Sequence, residues 1–188
     1  MTRLLVAALA LAAPLVGHAQ QTIDTCFACH GPNGVSAMPL TPSLAAQPAI
    51  YVTAQLAQFV AGKRESEIMG PMAKAIPAGE ARALAERIEK LPPPAAADAP
   101  DPAQMERGRA VVEREHCDSC HQPDFSGIEN APRLAHQRED YLRKALHDFR
   151  TGARVGYGEP VMPAVAAALS EREIADLAHY LAHFTPPP

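Results

Sequence analysis

The pattern of cysteines constrains this chain more than any other feature. All four cysteines lie in two Cys-x-x-Cys-His motifs, one at residues 26–30 and the other at residues 117–121. Two thiols three positions apart can each form a thioether with one vinyl group of a haem, and the histidine beside the second thiol can then reach the iron. The motif is typical of c-type haem attachment. Its two copies therefore predict two covalently bound haems.

The motifs assign the expected roles directly. The residues expected to bind the haems covalently are Cys26, Cys29, Cys117 and Cys120, and the expected axial ligands of the two irons are His30 and His121. Two alternatives use the same cysteines: a zinc site built from cysteine pairs, and a thioredoxin-like dithiol. Neither alternative requires a histidine directly after each pair, so haem attachment is favoured.

Residues 1–19 have the pattern of a secretory signal peptide. Arg3 is followed by an apolar run over residues 4–13, and small residues precede an expected cleavage site after Ala19. The run is shorter than the about 20 apolar residues that a spanning helix needs. The mature protein is therefore expected to be exported, soluble and without a membrane-spanning segment. The formal net charge of −4 excludes the basic surface that binding to nucleic acid requires.

A proline- and alanine-rich segment over residues 92–102 divides the chain. This composition is unsuited to a helix or a paired strand and predicts a semi-rigid linker. The sequence repeats itself on either side: Leu44, Tyr51, Phe59, Gly62 and Arg64 match Leu134, Tyr141, Phe149, Gly152 and Arg154. The repeat predicts an N-terminal haem domain over residues 20–91 and a C-terminal haem domain over residues 103–188.

Both halves have helical periodicity. In the second half, apolar residues recur at helix spacing from Tyr141 to Phe149, and Gly152 follows as a C-terminal cap. Residues 170–173 have the pattern of a capping box at the start of the last helix. No segment has a convincing strand pattern. The predicted fold class is therefore all-α.

The two halves differ ahead of the haem motif. Residues 103–115 form a helical run before Cys117, with Gly108 inside it. Glycine costs about 1 kcal/mol in a helix interior, so its presence indicates the close approach of another helix, with Tyr180 as the expected neighbour. Too few residues of the mature chain precede Cys26 for such a helix. The first helix is therefore expected to be missing from the N-terminal domain.

Methionine is the expected sixth ligand of each iron, because a thioether favours ferrous iron and raises the reduction potential. In the second half Met162 is the only methionine after the haem motif, on the expected loop before the last helix. In the first half Met69 precedes Ile76 at the spacing that separates Met162 from Leu169, so Met69 is preferred. Met72 is the alternative.

No ligand role is expected for the remaining histidines. Those at positions 136, 147, 179 and 183 are expected on the surface or on helix faces, and nothing places His116 on an iron. The sequence also contains no Ser-His-Asp order, phosphate-binding loop or pair of acidic residues that could be assigned to catalysis.

The paired units resemble the dihaem cytochrome c4 family within the class I cytochromes c. The resemblance covers nearly all of the mature chain and rests on the two haem motifs, the Pro-x-Leu loops at residues 42–44 and 132–134, the Tyr…Phe…Gly-x-Arg helix ends and the methionine spacing. It implies two tandem class I cytochrome c domains that pack through their haem-propionate sides. It also implies a periplasmic protein that shuttles electrons to a terminal oxidase. The missing first helix departs from the family pattern and leaves the shielding of the first haem in question.

The function that follows is that of a one-electron carrier between respiratory donors and a terminal oxidase or reductase, without enzymatic activity. The expected partners are redox proteins: a membrane cytochrome complex, a terminal oxidase or a dehydrogenase. One alternative is the electron-accepting cytochrome subunit of a periplasmic dehydrogenase, such as a flavocytochrome. A dihaem peroxidase is less favoured, because it needs an iron with an open position and both halves contain a methionine at the matching place.

Overall fold

The structure, a computed structural model, describes residues 17–77, 79–97, 99–156 and 160–185, with the backbone alone for residues 17–22. Most of the expected signal peptide, residues 1–16, lies outside the described residues, so its cleavage after Ala19 stays a prediction. Within the described ranges, no helix is both long enough and apolar enough to cross a membrane.

Helices form the regular structure of the described residues, where the β-type pairing amounts to two isolated bridges. The helices are α1 (Gly17–His30), α2 (Ala49–Val60), α3 (Met69–Lys74), α4 (Glu80–Glu89), α5 (Pro102–Glu115), α6 (Cys117–His121), α7 (Glu139–Thr151), α8 (Val161–Ala168) and α9 (Glu171–Ala182). A short 3-10 turn at Pro32–Gly34 follows α1. The all-α prediction is confirmed.

Local sequence signals account for several helix ends in the second half. The Ser170 hydroxyl accepts a hydrogen bond from the backbone N–H of Glu173, which completes the expected capping box of α9. Helix α7 ends at Gly152, whose φ of 78° lies in the left-handed region that glycine adopts without strain. Helix α5 begins at Pro102, earlier than expected, because the Asp101 side chain caps it and proline is well tolerated in a first turn.

The second half contains the larger core. Phe125 is 2% exposed, and its ring meets those of Tyr180 and Phe184 edge-on, with centroid distances of 6.3 and 4.8 Å. Helix α5 crosses α9 at Gly108, where a Cβ atom would lie 2.4 Å from the backbone oxygen of Asp176 and 2.5 Å from the Cβ of Tyr180. The expected close approach of Tyr180 to Gly108 is confirmed.

The first half is organised differently ahead of its motif. Helix α1 runs without a break to His30, whereas α5 stops at His116, whose left-handed backbone separates it from α6. The backbone just before Cys26 is therefore helical, and Ile23, 2% exposed, packs on α4. This stretch is shorter than α5. The absence of a complete first helix stays a prediction, because residues 1–16 lie outside the described part of the chain.

The linker between the halves lies against the second half. Pro94 is buried. The two ring nitrogens of His136 lie 2.8 Å from the carbonyl oxygen of Pro94 and 2.7 Å from that of Phe184. Farther along, the backbone N–H of Ala97 donates to the carbonyl oxygen of Ala182 at 3.4 Å. These contacts hold the described part of the linker near α9.

Candidate haem-binding site

The two motif histidines have equivalent surroundings. His30 is 7% exposed and His121 is 6% exposed. The Nδ1 atom of His30 lies 2.8 Å from the carbonyl oxygen of Pro42, and that of His121 lies 2.8 Å from the carbonyl oxygen of Pro132. Because a carbonyl oxygen only accepts, Nδ1 holds the proton and Nε2 keeps its lone pair for a metal. Burial lowers the pKa of both imidazoles, which favours the neutral form that binds iron.

None of the four cysteines forms a disulfide, and all of them line one cavity. Cys26 and Cys117 are half-buried, while Cys29 and Cys120 are exposed. Burial raises the pKa of Cys26, and it raises the pKa of Cys117 to about 11. The surroundings of these two sulfurs therefore disfavour a thiolate. A thioether carries no charge and suits the same environment.

The candidate methionines lie on short helices. Met69 begins α3, and Met162 stands in the first turn of α8. The expectation that Met162 lies on a loop is therefore wrong, because residues 161–168 form a short helix that packs against α7. Met69 and Met162 are half-buried, whereas Met72 is 37% exposed. All three line the same cavity as the cysteines.

One continuous cavity of about 1250 Å³ connects the two halves. Residues of both haem motifs line it, together with apolar side chains from both cores, among them Leu56, Phe59, Leu146 and Phe149. A large apolar cavity with a few fixed polar groups is typical of a cofactor site. The two candidate sites therefore face each other across the contact between the halves instead of opening on opposite sides of the molecule.

Reciprocal amide contacts join the halves beside this cavity. The Gln47 side chain donates to the carbonyl oxygen of Arg133 at 2.9 Å and accepts from the Arg133 backbone N–H at 3.0 Å. The Gln137 side chain donates to the carbonyl oxygen of Ser43 at 2.8 Å and accepts from the Ser43 backbone N–H at 2.7 Å. Gln47 matches Gln137 in the repeat, and Ser43 matches Arg133. The contact thus has approximate two-fold symmetry.

Arginine and tyrosine side chains repeat the same symmetry. The guanidinium of Arg64 donates to the Tyr141 hydroxyl at 2.9 Å, and that of Arg154 donates to the Tyr51 hydroxyl at 2.9 Å. Both guanidinium groups also donate to the side-chain oxygen of Gln55, at 2.6 and 3.0 Å. Burial opposes ionisation of Tyr141, but the charges of both arginines outweigh it and lower the pKa of this phenol.

The symmetry breaks at Gln55. The matching position in the second half is Ala145, which offers no side-chain acceptor. Both cationic groups of the contact therefore share one amide oxygen, and that oxygen belongs to the first half. The electrostatic surroundings of the two candidate haem sites are unequal as a result.

The cavity also contains buried donors that lack an acceptor. The Nε atoms of Arg133 and Arg154 are buried without a hydrogen-bond partner among the described residues, and both residues line the cavity. A buried donor that stays unpaired costs about 1–3 kcal/mol, and more when it is charged. An anionic group in the cavity would satisfy these donors. Apolar walls, two histidine Nε2 atoms, four cysteine sulfurs and unpaired guanidinium N–H groups together fit two haems, each of which combines an apolar ring with two carboxylates.

Sequence reasoning missed the roles of several residues in this contact. Gln47 and Gln137, like Arg64 and Arg154, occupy matching positions of the repeat, but a repeat alone does not reveal that its members bind across a pseudo-two-fold axis. Their shared polarity in otherwise apolar stretches was the available signal. His179 lies in α9 and His183 at its C-terminal cap, in agreement with the helix-face alternative, but they are only 7% and 8% exposed, and the sequence did not indicate this burial. Both are covered because the end of α9 packs against α7 and the linker.

Comparison with known proteins extends these observations. Residues 105–185 match the family model Cytochrome c. The chain is similar to cytochrome c4 of Thiocapsa roseopersicina, with 34% identity over 90% of this chain and 94% of that protein. The crystal structure of reduced recombinant cytochrome c4 from Pseudomonas stutzeri has a TM-score of 0.80 and 29% identity, and the match covers 88% of this chain and 96% of the other.

A third similarity is to a protein that is named for a different role. The thiosulfate dehydrogenase electron acceptor of Thiomonas intermedia is 31% identical, over 84% of this chain and 77% of its own. Each of these three matches covers at least 84% of this chain and therefore spans both halves. The matched proteins therefore share the tandem arrangement as well as the single domain.

Proposed function

Because this chain belongs to the cytochrome c4 family and is a dihaem electron carrier with two covalently bound haem c groups, we propose that it works in the periplasm. It passes single electrons there from respiratory donors to a terminal oxidase or reductase. The observation that carries this proposal is the single cavity into which both motifs open. Two haems that face each other within one cavity can exchange an electron without a partner between them.

The proposed ligands of the first iron are His30 and Met69, and those of the second are His121 and Met162. The unprotonated Nε2 atoms of the two buried histidines support the assignment of His30 and His121. The positions of Met69 and Met162 support the assignment of the methionines, because each lies in the first turn of a short helix beside the cavity and both are half-buried. Met72 is more exposed and lies one helical turn farther on.

The chemistry of the bound group is one-electron exchange between ferric and ferrous iron. The residues of the chain support that exchange by holding the surroundings of the haems in a fixed arrangement. The carbonyl oxygens of Pro42 and Pro132 hold the Nδ1 protons of the two histidines and fix the orientation of their rings. Apolar walls exclude water, and a thioether ligand favours the reduced state. Since no ligand has to leave, the protein is proposed to be a carrier and not itself an enzyme.

Paired methionine variants test the proposed ligands. Met69→Ala removes the thioether from the first iron, so the charge-transfer band of ferric iron bound to thioether is expected to fall by about half and one reduction potential to drop. Met72→Ala is the matched control and is expected to leave both properties nearly unchanged. A loss of the band in the Met72 variant alone would show that the ligand assignment is wrong.

The identity of the electron donor is a second question. Similarity to a thiosulfate dehydrogenase electron acceptor favours a dehydrogenase as one proposed partner. A free carrier is expected to run as a monomer when it is purified from its source, with a mass close to the 20.0 kDa of the full chain, because the two haems offset much of the mass of the removed signal peptide. Co-purification with a catalytic subunit at constant ratio would instead favour the role of a fixed dehydrogenase subunit.

A peroxidase reaction is tested with the same material. Six-coordinate irons are expected to give a low-spin ferric spectrum that does not change on addition of hydrogen peroxide. A high-spin signal from either haem, together with turnover of peroxide, would contradict the proposal that this protein is only a carrier.

A further inference from the structure

A compact group of side chains lies outside the haem cavity, between α7, α9 and the end of the linker. Its members are Glu139, His179 and His183, and each offers one ligand atom such that these atoms lie within 4.8 Å of one another. None of the three lines the haem cavity. His179 and His183 stand one helical turn apart at the end of α9, so both imidazoles reach the same side of the helix.

The hydrogen bonds within the group identify its free electron pairs. The Nδ1 atom of His183 donates to the carbonyl oxygen of His179 at 2.8 Å, which leaves the lone pair on Nε2. The Nδ1 atom of His179 lies 2.9 Å from a carboxylate oxygen of Glu139. The imidazole rings of His179 and His183 lie 4.2 Å apart, and both are more than nine-tenths buried. Two imidazoles and a carboxylate therefore converge in a sheltered place.

We propose that Glu139, His179 and His183 bind a divalent first-row transition-metal ion, with Zn²⁺ as the ion the donor set fits best. Two imidazole nitrogens and one carboxylate oxygen form a known three-ligand set for Zn²⁺, in which water takes the fourth position. Ca²⁺ and Mg²⁺ prefer oxygen ligands and are not suited to two imidazoles. The carbonyl end of α9 adds a negative partial charge that favours a cation at this place.

Binding of the ion has a consequence for the linker. The backbone N–H of Asp101 donates to the Nε2 atom of His179 at 2.9 Å, so Nε2 is unprotonated and Nδ1 carries the proton toward Glu139. When the ion takes Nδ1, the single proton of the neutral ring moves to Nε2, which then no longer accepts from Asp101. Asp101 is the N-cap of α5. Occupation of the site thus loosens the junction between the linker and α5.

Neighbouring groups lower the affinity of the site for the ion but leave its ligand atoms accessible. Arg143 forms an ion pair with the other carboxylate oxygen of Glu139, which leaves one oxygen for the ion. The backbone N–H of Asp101 faces the opposite nitrogen of His179. Because the ion must shift the proton of His179 from Nδ1 to Nε2 and disrupt two hydrogen bonds, those with Glu139 and Asp101, binding is expected in the micromolar range, well below the affinity of a structural zinc site.

The test is a titration of the intact holoprotein with Zn²⁺ in competition with a chromophoric chelator. Losing an outer partner of a metal ligand already costs about 10- to 100-fold in affinity, so losing a ligand should cost at least about tenfold. His183→Ala and Glu139→Gln are the test variants. His147→Ala is the matched control, since His147 also lies beside a carboxylate, that of Glu171 at 3.3 Å, but has no second imidazole.

The expected result is one Zn²⁺ equivalent in the wild type and in His147→Ala, with affinity weakened at least about tenfold in both test variants. Hydrogen exchange at the Asp101 amide is expected to accelerate when Zn²⁺ is added to the wild type and to stay constant in His183→Ala. The haem spectrum should not change, which separates this site from the irons. Equal affinity in His183→Ala and the wild type, or no saturable binding in the wild type, would overturn the proposal.

Discussion

Backbone carbonyl oxygens fix the protonation of His30 and His121, and no side-chain substitution can remove those oxygens. These backbone contacts make the orientation of the two proposed axial ligands insensitive to mutation in the surrounding loops, as long as Pro42 and Pro132 keep their positions. It also means that the two rings keep one tautomer in both oxidation states of the iron. Little rearrangement then accompanies an electron transfer.

In the second half, the ionisation of a buried carboxylate depends on an arginine side chain. Asp176 has a side chain that is only 4% exposed, and it accepts two hydrogen bonds from Arg107, at 2.7 and 2.8 Å. These bonds lower the pKa of the Asp176 carboxyl below its ordinary value, against the opposing effect of burial. The pair joins α5 to α9 next to Gly108.

The ion pair predicts a pH-dependent contribution to stability. Because the folded state lowers the pKa of Asp176, its ionised form stabilises the fold above about pH 4, and this contribution is lost as the pH falls through the folded-state pKa. Asp176→Asn is expected to lower the free energy of unfolding by about 2 kcal/mol at neutral pH. Denaturant unfolding of the holoprotein measures this difference, which should shrink below about pH 4. A difference that stays constant down to pH 2 would contradict the assignment.

Among the helices, the crossing of α5 and α9 depends on the absence of a side chain. A Cβ atom at Gly108 would meet the backbone of Asp176 and the Cβ of Tyr180, and neither can move without shifting α9. The first half has no comparable crossing among its described residues. The second half is therefore expected to be the more rigid of the two.

Gly108→Ala tests this crossing. Helix propensity alone would make alanine more stable by about 1 kcal/mol, but overpacking at a close helix contact costs about 1–3 kcal/mol. The expected net result is a lower free energy of unfolding of the holoprotein, with unchanged haem content. A variant that is more stable than the wild type would show that α5 can move away from α9 at little cost.

A helix end could be predicted from the sequence where a short residue pattern marks it. The capping box at Ser170 and the terminal glycine of α7 appear as short residue patterns, and both ends were predicted correctly. Helix α8, which contains Met162, was not predicted, because it is short and its apolar run resembles a loop that lines a pocket. Short helices beside a cofactor are held by tertiary contacts, which a local pattern does not contain.

At the scale of the whole molecule, the side-chain amides of Gln47 and Gln137 join the two halves through hydrogen bonds. They are 4% and 5% exposed, and each satisfies both backbone groups of one residue in the opposite half. Isolated domains would leave these groups to water. The contact therefore gives the two haem domains one fixed mutual orientation.

Gln137→Ala is expected to weaken that orientation. The backbone N–H and carbonyl of Ser43, 3% exposed as a residue, would lose their partners, at a cost of about 2 kcal/mol. Thermal unfolding followed separately at the two haems should then show the transitions move apart, while both ligand sets remain intact. Gln47→Ala is the symmetry-related control and is expected to have a similar effect. Identical unfolding curves for the variants and the wild type would mean that other contacts hold the halves together.

The arrangement of the whole molecule was only partly accessible from sequence. Two domains and their motifs followed from the repeat, and the family resemblance implied that the domains pack through their haem-propionate sides. Nothing in the sequence paired Arg64 with Tyr141 or Arg154 with Tyr51, because such contacts depend on how two surfaces meet in space. The burial of His179 and His183 was missed for the same reason, since each residue alone resembles an ordinary helix-face histidine.

The single amide of Gln55 has a consequence for how such a protein can be built. A molecule assembled from two copies of the C-terminal half would have an alanine methyl group at both places, and its two guanidinium groups would meet without a shared oxygen between them. Duplication of the C-terminal half alone would therefore leave both guanidinium groups without this acceptor. A glutamine in one of the two copies supplies it, and it makes the surroundings of the two haems distinguishable.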